Sequence, residues 1–98
     1  MNFGLEQEDI QGIRQVLARY PAVERFILYG SRAMGTYRYN SDIDLTLQGG
    51  SLTLFILFDI ENELDDPLLP YKIDLSIFHR IENNDLVAHI QRAGQVFY

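Results

Sequence analysis

The stretch from Val23 to Leu47 leaves this chain few folds to choose from. Val23-Glu24-Arg25-Phe26-Ile27-Leu28-Tyr29 is apolar enough for a largely buried strand, and it runs straight into Gly30-Ser31. Glycine permits a tight turn there, and the residues after it can start a helix whose free N–H groups attract phosphate. A polar loop, Tyr37-Arg38-Tyr39-Asn40-Ser41, then leads into a second predicted strand, Asp42 to Leu47. Alternation along that strand sends Asp42 and Asp44 to one face and Ile43 and Leu45 to the core. Two carboxylates on one strand face, next to a phosphate-sized turn, suit a divalent cation.

The flanking sequence supplies helices. Leu5, Ile10, Ile13, Val16, Leu17 and Tyr20 fall mostly at helical spacing, with Glu6, Glu8 and Asp9 in the first turn and Pro21 closing the helix. Gln48-Gly49-Gly50 ends the second strand, and Ser51 is the expected N-cap of a long helix, Leu52 to Asp65. The first turns of that helix are apolar nearly all round, through Leu52, Leu54, Phe55, Ile56, Leu57, Phe58 and Ile60. A surface helix of a monomer should carry a polar face, so part of this segment is expected to meet a partner. A short buried strand or a wholly buried core helix is the competing reading. Pro67 and Pro70 bracket a linker. Tyr71, Ile73, Leu75 and Ile77 then alternate with Lys72, Asp74 and Ser76, which predicts a third strand with Asp74 on its polar face. Glu82 to Arg92 is a final helix, and Gln95 to Tyr98 a short terminal strand after Gly94. Helices alternating with strands predict an α/β (α+β) fold, a small mixed sheet flanked by helices.

Composition narrows the function. The 98 residues, 47% of them hydrophobic, suffice for one core and predict a single domain spanning residues 1–98. Without cysteine there are no thiolate sites, so a metal here would be bound by oxygen. Met1 to Glu6 lacks a basic region followed by an apolar stretch, and no apolar run approaches the ~20 residues that span a bilayer. A cytoplasmic protein without membrane contact is the expectation. The net charge of −6, with Lys72 the only lysine, argues against direct nucleic-acid binding through a broad phosphate-contacting surface. A magnesium-bound nucleotide is compatible, because the cations mask the carboxylates.

Asp42, Asp44 and Asp74 on neighbouring strands would concentrate more charge than a bare protein tolerates, and two Mg2+ ions would compensate it. Held about 3.5–4 Å apart, such a pair can activate an attacking oxygen and neutralise a leaving pyrophosphate. Gly30 and Ser31 are placed to take the terminal phosphates through backbone N–H groups and the serine hydroxyl, with Arg32 adding charge. His79 and His89 have no short metal-ligand spacing and read as structural or surface residues. Tyr37, Tyr39 and Tyr98 read as packing.

With these residues in place, the sequence resembles the minimal nucleotidyltransferase (MNT) family of the DNA polymerase beta-like superfamily. That family's signature is a Gly-Ser-x-Ala-x-Gly loop followed by Ser-Asp-x-Asp-Leu, and both stand here, at Gly30 to Gly35 and Ser41 to Leu45. Tyr20-Pro21-Ala22-Val23, Leu69 to Asp74 and Gly94 to Tyr98 also look like the family, so the likeness covers essentially the whole chain. One position departs from it: Met34 stands where members usually carry Arg or Lys.

The resemblance implies a polymerase beta-like palm and transfer of a nucleoside monophosphate, AMP from ATP, to an acceptor hydroxyl with release of pyrophosphate. It implies Asp42 and Asp44 as ligands of both metals and Asp74 as a ligand of the catalytic metal that helps deprotonate the acceptor. Gly30, Ser31 and Arg32 would bind the nucleotide. Members of this size pair with a helical HEPN-family protein, either as a two-subunit transferase or as an antitoxin that adenylylates a tyrosine of its HEPN toxin. Leu52 to Ile60 is the candidate contact, and a homo-oligomer is left open. The rival readings are a catalytically weak module that neutralises the HEPN partner by occlusion and the subunit of a small-molecule nucleotidyltransferase. Three mutually repelling carboxylates on one face favour the enzyme.

Overall fold

The computed structural model describes residues 3–65 and 71–97. The Pro67–Pro70 linker and Tyr98 lie outside the described residues. Helix α1 (Gln7–Ala18) buries Ile10, Ile13 and Leu17 at the expected spacing. Strand β1 (Arg25–Tyr29) leads to the single helical turn α2 (Ser31–Met34), and β2 (Ile43–Gln48) follows the polar loop. Helix α3 (Leu54–Leu64) and strand β3 (Ile73–Ile77) come next, then a 3-10 turn at Phe78–Arg80, helix α4 (Asn84–Ala93) and the two-residue strand β4 (Gln95–Val96).

The strands form one mixed sheet in the order β3-β2-β1-β4. β1 runs antiparallel to both β2 and β4, while β2 and β3 are parallel. Parallel neighbours need a crossover, and α3 lies in the connection between them. Period-two alternation then divides the sheet by face. Phe26 and Leu28 of β1, with Ile43, Leu45 and Leu47 of β2, join α1 and α3 in the main core. Ile27, buried, points the other way toward α4: a Cβ added at Gly94 would meet both the Ile90 carbonyl and the Ile27 side chain. One face of the sheet is thus closed by two helices, and the other is covered by α4 at its β1 side. Among the described residues no helix is long and apolar enough to cross a membrane.

One expectation is corrected. The long helix is capped by Thr53, not Ser51: the Thr53 hydroxyl accepts from the Ile56 N–H at 3.3 Å, while Leu52 N–H closes a turn onto the Gly49 carbonyl. Placing Thr53 at the cap puts Leu52 before it and Leu57 four residues after it, both in the core, the two positions that staple a helix start. The apolar residues do run round this helix, which is neither a strand nor wholly buried. Leu57, Ile60 and Leu64 are buried, whereas Leu54, Phe55 and Phe58 stand out in solvent, Phe55 at 85% exposure. The remaining differences are boundaries: α4 begins after its N-cap Asn83 rather than at Glu82, and β3 begins at Ile73 rather than Tyr71.

Candidate active site

The open face of the sheet takes its chemistry from the residues that alternate away from the core. On β2 these are Asp44 and Thr46, preceded by Asp42 at the strand's entrance, and on β3 they are Asp74 and Ser76. The parallel register sets Asp44 beside Asp74 and Thr46 beside Ser76. The antiparallel register sets Tyr29, the last residue of β1, beside Asp44. Three strands therefore bring a phenol and two carboxylates onto one row, with Asp42 two residues upstream. Beneath that row the Ser76 hydroxyl donates to Thr46 Oγ1 at 2.9 Å.

Next to this row the chain turns. Gly30 has φ +79° and ψ −154°, a backbone region essentially reserved for glycine. A Cβ at this position would collide with the Asp44 carboxylate, so the missing side chain is what lets the loop lie against it. Ser31 opens α2, and Gly35 ends it in the left-handed region, its N–H donating to the Ser31 carbonyl. The Gly30 N–H donates to Nε2 of His89, on α4, at 3.2 Å. The His89 ring also stands edge-on to Tyr29, with centroids 6.2 Å apart. As placed, the Gly30 donor serves His89, and the Ser31 hydroxyl and the first-turn N–H groups of α2 follow it in the chain as the donors that could meet a phosphate.

Arg32 is not where the sequence suggests. It is 1% exposed, and its guanidinium is spent on backbone carbonyls: Ser41 at 2.8 Å, Phe3 at 2.9 Å and Tyr39 at 3.5 Å. The rings of Tyr37 and Tyr71 lie against it, with the guanidinium carbon 5.4 and 5.0 Å from their centroids. As placed, the Arg32 guanidinium is engaged by the protein's own carbonyls. It locks the loop that delivers Asp42, and Ser41 is held further by its hydroxyl, which accepts the Arg38 N–H at 2.7 Å. Met34 is exposed at the end of α2.

The electrostatics follow from the geometry. Burial pushes the Asp44 carboxyl above its ordinary value, and the like charges of Asp74 and Asp42 push it further, with His89 opposing them. Burial likewise raises the Tyr29 phenol; a hydrogen bond with Ser76 pulls it back, and the charges of Asp44 and Asp74 add to the rise. Among the described residues no three His, Cys, Asp or Glu side chains are gathered closely enough to hold a metal ion as they stand. The donor set nevertheless fits a hard cation. It is all carboxylate, two members are paired across adjacent strands, and Asp44 feels the like charges of Asp74 and Asp42.

His89 and Tyr29 were not legible as parts of this site, and Arg32 was legible as a member of it but not as a buried clamp. The one signal for His89 is its position three residues after Leu86 and beside Ile90, at the border of the buried stripe of α4. His79 is exposed in the 3-10 turn, in keeping with a surface role.

Comparison with known proteins bears on the whole of this arrangement. The family described as polymerase beta, nucleotidyltransferase, matches residues 11–98. No curated protein matches the chain. Among solved structures, the chain is similar to one from a toxin–antitoxin complex with AMP-PNP, at TM-score 0.74 and 22% identity, covering 91% of this chain and 72% of that one. It is also similar to a chain of the MntA-HepT toxin–antitoxin, at TM-score 0.70 and 19% identity, covering 95% and 72%. A third likeness is to a chain from a Shewanella oneidensis complex of a tri-AMPylated HEPN toxin with an MNT antitoxin, at TM-score 0.70 and 18% identity, covering 96% and 72%. At these identities the likeness is one of fold.

Proposed function

The chain belongs to the polymerase beta nucleotidyltransferase family, and from that premise we propose that it transfers AMP from ATP to a tyrosine of a HEPN-family partner, acting as its antitoxin. The observation that carries this reading is the register of Asp44 beside Asp74, with Asp42 two residues back and the Gly30–Ser31 turn against Asp44.

In this reading Asp42, Asp44 and Asp74 hold two Mg2+ ions, which when bound supply the positive charge that a triphosphate and a departing pyrophosphate require. Ser31 and the start of α2 hold the terminal phosphates, and Gly30 gives the loop its turn. Asp74, exposed at the sheet's edge strand, takes the proton of the acceptor hydroxyl. The acceptor oxygen then bonds to the α-phosphorus of ATP as the bond from that phosphorus to the bridging oxygen of the β-phosphate breaks, and pyrophosphate leaves.

The similarity to chains of toxin–antitoxin complexes supports the choice of partner. So does the surface. Leu54, Phe55 and Phe58 lie three and four residues apart, on one exposed side of α3, while Leu52, Leu57 and Ile60 are committed to the core. The contact expected over Leu52 to Ile60 therefore narrows to those three side chains.

The test is label transfer from α-labelled ATP with Mg2+, using the chain co-purified with its HEPN partner. Label on a partner tyrosine that disappears with Asp42→Ala supports the reading. A complex that forms and protects against toxicity while no label moves with any of the four triphosphates replaces it with neutralisation by occlusion.

A further inference from the structure

Two groups hold the Gly30 turn from opposite sides, and only one of them belongs to the acidic row. The Asp44 carboxylate fills the space where a side chain would be, and His89 Nε2 accepts the Gly30 N–H at 3.2 Å. His89 comes from α4, 59 positions away in sequence, and α4 is otherwise anchored by Ile90 against the β1 side of the sheet. A ring nitrogen that accepts must be unprotonated, so the other nitrogen of this imidazole carries the hydrogen.

The consequence concerns the Tyr29–Gly30 peptide. Its N–H is the last donor before α2 and lies beside the place where a phosphate would arrive. Glycine gives this peptide more rotational freedom than any other residue would, so something outside the loop has to choose its orientation. On its N–H side that role falls to His89, whose Nε2 accepts the Gly30 hydrogen.

We propose that His89 is a positioning residue of the nucleotide site: by accepting the Gly30 N–H it fixes the turn, so that a triphosphate is met by Ser31 and the start of α2 rather than by a swivelling glycine peptide. The proposal rests on the nucleotide-transfer reading above and adds to it a residue from the far end of the chain. His89 also packs edge-on to Tyr29, so packing alone is the explanation it has to beat.

Two substitutions separate the possibilities. His89→Phe keeps a ring beside Tyr29 and removes the acceptor. His89→Gln loses the ring and offers a carbonyl oxygen at similar reach. Each full-length variant is examined for MgATP affinity by calorimetry and, without nucleotide, for hydrogen exchange at the Gly30 amide. Loss of one hydrogen bond that orders the site should weaken MgATP binding about five- to tenfold in His89→Phe, with His89→Gln within about threefold of the wild type. Gly30 exchange should be fast in the Phe variant and slow in the other two proteins. Unchanged or tighter MgATP binding by His89→Phe overturns the proposal, the tighter result meaning that His89 competes with phosphate for the donor. Rescue by Phe and not by Gln overturns it in favour of packing. A protected Gly30 amide in a wild-type protein that binds no MgATP overturns the nucleotide-transfer reading itself, and the claimed effect on affinity with it.

Discussion

Asp44 carries the sharpest conflict between stability and chemistry at the scale of single residues. Its carboxyl is pushed up by burial and by Asp74 and Asp42. The folded state therefore holds the proton more tightly than the unfolded state does, and stability falls as pH rises through the window that starts at the ordinary value of 3.8. Above that window the full penalty is present. Asp44→Asn removes it, so the variant should melt at a higher temperature than the wild type at neutral pH, with the gap closing well below pH 3.8, while nucleotidyl transfer is lost. Scanning calorimetry across pH reads the first part, and label transfer the second. Gly30 makes a complementary prediction. Gly30→Ala forces a side chain into a glycine-only region and into the Asp44 carboxylate, and should cost about 1–3 kcal/mol in chemical denaturation. The three aspartates could be picked out from sequence because alternation along a strand is a local rule. The burial of Arg32 and the contact of His89 could not. A buried arginine runs against the usual exposure of cations, and the Gly30–His89 bond joins residues that only the tertiary fold brings together.

Among the elements, helices were readable by their stripes and misread at their ends. α1 and α4 show their apolar spacing directly, whereas the start of α3 depended on which of two neighbouring hydroxyl residues caps it, a choice made by the turn at Gly49–Leu52. The 3-10 turn after β3 left no periodic trace, being a single turn long. α1 and α3 are tied beyond their shared core. Glu63 of α3 takes a hydrogen bond from the Tyr20 phenol at 2.6 Å and an ion pair from Arg19 at 2.8 Å. The bond to Glu63 pushes the Tyr20 phenol up to about 12, with burial and the Glu63 charge adding to it. A phenol raised in the folded state contributes stability that is complete below its ordinary value of 10.0 and is lost as pH climbs toward about 12. Tyr20→Phe should therefore lower stability at neutral pH and flatten the decline between those two values, which alkaline denaturation followed by circular dichroism will read.

Taken as a whole, the molecule divides its labour across one sheet: the closed face holds the core and the open face holds the carboxylates. The mixed sheet was legible in outline because helices and strands alternate along the chain. The order β3-β2-β1-β4 was not, since which strands become neighbours depends on long-range pairing rather than on local pattern. That order has a kinetic side. β1 and β2 are joined by a short connection, but β3 can reach β2 only after the chain has passed through α3, and its arrival sets Asp74 against Asp44. Docking the third strand thus brings like charges together over the longest detour between neighbouring strands of the described sheet except that of β4. Relieving the repulsion should speed this step. In stopped-flow refolding at low ionic strength, Asp74→Asn is expected to fold about two- to fivefold faster than the wild type, and salt should close the gap by screening the charges. The carboxylates that would serve the chemistry are then a tax on assembly, levied each time the chain folds in the absence of cations.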